Sequence, residues 1–220
     1  MAINKDAYTE LMNELKQKNV KLVAVSKTKP VEDIFELYKL GQKDFGENYV
    51  QELLEKQKQL PADIHWHFIG HLQGNKVRYI TSFIHLIQGV DSYKLLSEIN
   101  KQGQKINRVI NCLLQVHIAQ EETKFGFDEK ELDEAINQLI KAPMENINVT
   151  GLMGMASFTD DMDKVRSEFK YLKALFDKYQ QTTNYKLQTL SMGMSSDYKI
   201  AIEEGSNMIR VGSLLFGERV

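Results

Sequence analysis

Short apolar runs alternate with longer amphipathic stretches along the whole chain. The runs fall at 22–26, 43–46, 65–69, 85–89, 109–117, 149–155, 187–191 and 207–211. They are too short for helices, and runs such as Leu22 to Val25 are rich in β-branched residues, the signature of strands buried on both faces. Between them, apolar residues recur at helical spacing. Leu132, Ala135, Ile136, Leu139 and Ile140 form one stripe, Val165, Phe169, Leu172, Phe176 and Tyr179 a second, and Val31, Ile34, Phe35 and Tyr38 a third. Asp160 or Asp161 supplies the N-cap of the second. A further helix near 5–18 precedes the first strand, with Tyr8, Leu11, Met12 and Leu15 on one face.

Strands that alternate with helices make a parallel sheet, because parallel neighbours need crossover connections. The eight runs match a closed (β/α)8 barrel, an α/β fold. An open doubly wound sheet is the alternative, and periodicity alone does not separate the two. With three prolines and no Gly/Ser-rich linker, residues 1–220 read as a single domain.

Composition narrows the function classes. A net charge of −2 gives no general electrostatic footing for nucleic acid or for anionic membranes. No apolar run is long enough to span a bilayer, and the first residues lack the apolar core of a signal peptide, so the cytoplasm is the expected location. The single cysteine, Cys112, lies in an apolar strand and is expected to be buried and inert.

In such a barrel the chemistry collects at the C-terminal ends of the strands. Those ends deliver Lys27, Glu47 with Asn48, Gly70 with His71, Asp91, His117 followed by Lys124, Ser157, Ser191, and finally Arg210, Gly212 and Ser213. Lys27 closes an apolar strand, and Pro30 fixes φ at the expected first position of the next helix. A strand-end amine is either a solvated charge, as most lysines are, or a nucleophile that forms an imine with a carbonyl. Lys29 shares its parity but precedes a proline and so belongs to the turn.

Gly212 lets backbone approach an anion closely, and Ser213 and Ser191 add donors that suit a phosphate. The plain alternative is a turn glycine. Arg210 lies two residues before Gly212, on the same strand face. It either pairs with Glu203 or Glu204 or donates to a ligand across the barrel mouth. His65 and His67 put two imidazoles on one strand face, the seed of a zinc site. His65 opens its strand, however, and Arg210 stands where such a site would want an aspartate, so no metal is expected.

Six segments carry a resemblance: Ala24–Pro30, Phe45–Val50, His65–Gly70 with Leu72, Gln73, Asn75 and Lys76, Gly151–Met153, Leu190–Ser195, and Ile209–Ser213 with Phe216 and Gly217. Together they resemble the pyridoxal phosphate homeostasis proteins, which share the fold of the N-terminal domain of alanine racemase. The resemblance implies a barrel of that type holding pyridoxal 5'-phosphate (PLP) as an internal aldimine on Lys27. It implies phosphate contacts at Ser191, Gly212 and Ser213, Arg210 as partner of the pyridine nitrogen, and Asn48 and His67 lining the cofactor. Two departures bear on access to the cofactor. His71 stands where a proline is expected, and His117 where an asparagine is expected.

Arginine can donate only to an unprotonated pyridine nitrogen, which leaves the ring a poorer electron sink. Alanine racemases add a catalytic tyrosine from a second, β-rich domain, and a sequence ending at Val220 is expected to lack one. The expectation is a non-catalytic monomer that holds PLP, buffers the free aldehyde and passes it to apoenzymes. A PLP-dependent amino-acid racemase and a lysine-dependent aldolase are the alternatives. Lys29 and Lys124 are candidate secondary landing sites for the aldehyde.

Overall fold

The computed structural model describes residues 3–119, 125–182 and 186–217. Helix α1 (Lys5–Lys18) comes first, then β1 (Lys21–Val25), α2 (Val31–Lys39), β2 (Asp44–Glu47), α3 (Val50–Gln59), β3 (His65–Phe68), α4 (Gly74–Ile80) and β4 (Leu86–Val90). The second half runs α5 (Tyr93–Lys105), β5 (Ile110–Val116), α6 (Glu129–Lys141), β6 (Ile147–Gly154), α7 (Met162–Thr182), β7 (Thr189–Ser191), α8 (Tyr198–Glu203), β8 (Met208–Val211) and α9 (Ser213–Phe216). Every strand pairs in parallel with its sequence neighbours, and β1 also pairs with β8, with Val23 opposite Arg210. The sheet is therefore a closed barrel, and the open alternative is set aside.

Side chains alternate between the two sides of the barrel wall. Outward residues such as Ala24, Phe45, Trp66, Cys112 and Ile209 join one large core with the helices, where Phe169, Ile34, Leu37 and Leu53 are fully buried. Inward residues Val23, Leu86, Leu113, Met153 and Met208 make a second, smaller apolar cluster inside the barrel. The interior also holds buried polar side chains, His67, Gln88, Ser191 and Arg210. Where β6 and β7 run closest, a β-carbon on Gly151 would lie 1.7 Å from the Thr189 carbonyl oxygen, so only glycine fits.

Local signals place the helices. Asp161 Oδ1 accepts from the amides of Asp163 and Lys164 at 3.1 and 3.0 Å, which settles which aspartate caps α7. Asp128 and Glu131 form a reciprocal capping box on α6. Pro30 is the N-cap of α2 instead of its first residue, with an extended ψ of 158°. Phe35 lies at the edge of its stripe and remains 39% exposed. Cys112 is fully buried, which raises its thiol pKa and keeps it protonated. Among the described residues no helix is long and apolar enough to cross a membrane.

Candidate functional site

The loop after β1 is built on buried charge. Ser26 continues the strand, its amide donating to Gly46 O at 3.0 Å, and Lys29 N closes a turn onto Ser26 O at 3.0 Å. Within that turn Thr28 adopts φ of 64°, an uncommon conformation for a β-branched residue. Its amide donates to Glu52 Oε1 at 2.6 Å. Behind the loop, Lys56 Nζ donates to Ser26 O, Glu47 Oε1 and Glu52 Oε1 at 2.7, 2.8 and 2.6 Å. Ser26 Oγ donates to the same Glu47 oxygen at 2.6 Å. Burial raises the Glu47 pKa, against the opposing pull of Lys56 and Ser26. These contacts fix the backbone on both sides of Lys27, whose side chain projects into the barrel mouth.

Lys27 lines a cavity of about 450 Å³ at that mouth together with Asn48, Ser195, Ser196, Arg210, Gly212 and Ser213, over an apolar wall that includes Ile69, Met155 and Phe158. Arg210 reaches it from β8. Its NH1 donates to Ser191 Oγ at 2.7 Å and its NH2 to Gly154 O at 2.9 Å. Burial lowers the guanidinium pKa to about 10, with Asp197 opposing, so Arg210 stays charged at neutral pH. It does not pair with Glu203 or Glu204, because Arg166 takes both. Gly212 N donates to Ser195 Oγ at 3.3 Å. The first amides of α9 open a helical turn and have no carbonyl of a preceding turn to bond.

Of the residues singled out by sequence, Lys27, Asn48, Arg210, Gly212 and Ser213 come together around this cavity. Ser191 and His67 do not line it. Both are fully buried in the barrel below its floor. Strand parity turns Ser191 inward under Arg210, and His67 is taken up by Asp44 Oδ1 at 2.9 Å and Gln88 Nε2 at 3.0 Å. The structure places both beneath the cavity, outside its lining. Ser195 and Ser196 take the wall position instead, because Gly193, at φ 98°, turns the chain after β7 toward the mouth. The run Ser191-Met192-Gly193-Met194-Ser195-Ser196 held that signal in its glycine.

Lys29 lines the cavity too, and its ammonium donates to Phe216 O at 3.0 Å and Gly217 O at 3.2 Å. His71 bonds Asp91 Oδ2 at 2.7 Å and stacks on Phe125 with centroids 4.0 Å apart, away from the cavity lining. His117 joins a backbone bond to Phe127 O at 2.9 Å. Lys124 lies outside the described residues. Ser157 is bound on both its amide and its hydroxyl by Glu168, at 2.7 Å each. At the opposite end of the barrel, Asp44, His67 and His85 bring candidate metal-ligating atoms within 4.8 Å of one another. There both His67 nitrogens are already bonded, and the Lys21 ammonium lies 3.8 Å from Asp44 and opposes a cation.

Comparison with known proteins bears on this geometry. The family model of the alanine racemase N-terminal domain matches residues 3–220. The pyridoxal phosphate homeostasis protein of Aquifex aeolicus (strain VF5) is 44% identical over 200 residues, covering 90% of this chain and 87% of that protein. The protein of the same name from Homo sapiens is 39% identical over 211 residues, covering 90% of this chain and 76% of that one. PipY of Synechococcus elongatus PCC7942, solved with PLP bound, is similar at a TM-score of 0.85 and 34% identity, covering 94% of this chain and 99% of that chain. Without PLP the same protein gives a TM-score of 0.91. An alanine racemase of Clostridium difficile 630, 17% identical with a TM-score of 0.76, shares the fold, and this chain spans 58% of it.

Proposed function

Because this chain belongs to the family of pyridoxal phosphate homeostasis proteins, we propose that its cavity binds pyridoxal 5'-phosphate through Lys27 and that the protein holds and passes on this cofactor. The observation that carries the reading is the meeting of the Lys27 amine, the buried Arg210 guanidinium and the Gly212–Ser213 turn around one cavity. The residues present fit the group. A cavity of about 450 Å³ suits a ligand of that size. Asn48 Oδ1 is buried without a hydrogen-bond partner, an acceptor that a ligand hydroxyl would satisfy.

The aldehyde of the bound group supplies an electrophilic carbon with which a lysine amine condenses reversibly, losing water. Lys27 supplies that amine, presented by a turn that Glu52 and Lys56 hold from behind. The Ser213 end of α9, with Ser195 and Ser196, offers donors to the phosphate. Arg210 would donate to the ring nitrogen and would not surrender a proton to it.

Among the described residues lining the cavity, the ionisable side chains are Lys27, Lys29 and Arg210, all basic. That set suits an anionic ligand and supplies no carboxylate or phenol to move a proton across from Lys27. The protein is therefore read as a carrier and buffer, a cytoplasmic monomer that delivers to apoenzymes, in preference to a racemase.

The test is borohydride reduction in the presence of PLP followed by peptide mass spectrometry. Labelling is expected on Lys27, and Lys27→Ala is expected to abolish both that label and the imine absorption band. Undiminished absorption in the variant would remove Lys27 from the reading. Rapid α-proton exchange of D- or L-amino acids in deuterated water would replace the carrier by a racemase.

A further inference from the structure

The polar residues inside the barrel form one continuous chain of hydrogen bonds. It starts at Arg210 NH1, which donates to Ser191 Oγ at 2.7 Å. Ser191 Oγ lies 2.7 Å from Gln88 Oε1. Gln88 Nε2 lies 3.0 Å from His67 Nδ1, and His67 Nε2 lies 2.9 Å from Asp44 Oδ1. Ser191, Gln88 and His67 are each fully buried, so no bulk water competes for these bonds.

The direction of every bond follows from the chemistry of the first. Arginine has donors only. Ser191 Oγ therefore accepts from it and spends its own proton on the Gln88 carbonyl oxygen. With that oxygen taken, the Gln88 amide end must face His67. A donor pointing at Nδ1 makes that nitrogen the acceptor and puts the imidazole proton on Nε2, where it is donated to Asp44. Gln88 Nε2 also lies 3.3 Å from Met208 Sδ, a weak acceptor that is content with the same amide orientation. At the far end Asp44 is flanked by Lys21 and His65, at 3.8 and 3.5 Å, and His85 packs against His67 with centroids 5.4 Å apart.

We infer that Ser191, Gln88, His67 and Asp44 form a one-way hydrogen-bond relay. It holds the Arg210 guanidinium in one orientation, in which its remaining N–H groups would meet the acceptor nitrogen of the ligand's ring. The four are positioning residues, and none touches the ligand. This rests on the PLP reading of the cavity and adds a determinant of specificity: the barrel interior selects for a ring that carries a hydrogen-bond acceptor at that place.

Two measurements test it. The first compares binding of PLP with binding of its carbocyclic analogue, in which C–H replaces the ring nitrogen and the aldehyde and phosphate are kept. Ser191→Ala and Gln88→Met are expected to weaken PLP about tenfold and the analogue less than about twofold, as loss of an aligned hydrogen bond would. Ser191→Thr, which keeps the hydroxyl, is expected to stay near wild type. Equal weakening of both ligands, or of neither, would overturn the relay.

The second measurement needs no ligand. Imidazole ¹⁵N NMR of the apo protein is expected to show His67 as the single Nε2–H tautomer, becoming mixed in Ser191→Ala. An Nδ1–H tautomer in the wild type would overturn the relay even if Gln88→Met failed to fold. A wild-type protein with the expected tautomer but no PLP on Lys27 would instead sink the cavity reading and, with it, the specificity role.

Discussion

Two buried polar networks converge on the same cavity and are built in opposite ways. Outside the barrel wall, behind the Lys27 loop, Glu47, Glu52 and Lys56 bring formal charges together. Inside the wall, Gln88 and Ser191 join His67 to Arg210 with neutral groups in the middle. The charged network leaves Glu47 Oε2 buried with no partner, whereas the four links from Arg210 to Asp44 in the inner chain are all closed. Buried charge holds a loop firmly but bears a desolvation cost that only intact partners offset. A neutral chain is gentler on stability and carries direction, which charge pairs do not. On the function proposed above, the amine to be held in place is set on the first kind and the donor to be aimed on the second.

Breaking the charged network is expected to have the largest effect. Lys56→Met strands Glu47 without its cation and is expected to cost about 3–5 kcal/mol of folding stability by urea denaturation. Adding Glu47→Leu should restore most of that loss, because the orphan charge goes with it. A cost below about 1 kcal/mol for the single variant would mean the pair is well solvated and would dissolve the contrast.

The neutral network should be cheaper to break. Gln88→Met is expected to cost about 1–3 kcal/mol, from groups left unsatisfied at Ser191 and His67. If its cost exceeded that of Lys56→Met, the ranking of the two networks would invert.

A pH series sharpens the comparison from the base of the barrel. Burial lowers the pKa of His67, and lowers that of His85 to about 4, with neighbouring histidines adding to the second shift. Histidines held neutral in the fold contribute stability that is full above the unfolded value of about 6.5. That contribution is lost as pH falls from there through the folded value near 4. His85→Gln is expected to flatten the fall of thermal midpoint across that window, and an unchanged slope would show that His85 does not contribute.

The smallest effect serves as a control that touches neither network. Asp128→Ala removes the capping box of α6 and is expected to cost about 1 kcal/mol with PLP affinity unchanged.

Much of the fold is legible in the sequence. The short runs gave all eight strands of the barrel nearly in place, most clearly where a strand buried on both faces is apolar, as in β1, and least clearly in β2, which reads Asp44-Phe45-Gly46-Glu47. Lys27 and Arg210 were readable from their places at strand ends, as was Gly212 from its spacing to Arg210. The lining by Ser195 and Ser196 was harder to read, because β7 is only three residues long and these serines reach the cavity through the turn at Gly193. His67 belongs to a motif but bonds partners on β2 and β4, and strand order alone says nothing of which side chains meet. The Glu47–Lys56 pair spans a strand-to-helix corner, a spacing that no periodic template marks.

The bonds from Lys29 to the carbonyls of Phe216 and Gly217, beside the β8–β1 seam, have a consequence for the order in which the molecule comes into being. The amine-bearing loop is made on the ribosome well before Arg210 and the turn after it. Closing the seam joins residues 187 and 188 positions apart, and loop closure over such distances is slow relative to local helix formation. The cavity is thus absent from every intermediate that precedes barrel closure. A nascent chain exposes Lys27 before Arg210 and the Gly212–Ser213 turn have been made, so the cavity they line together is a property of the closed barrel alone.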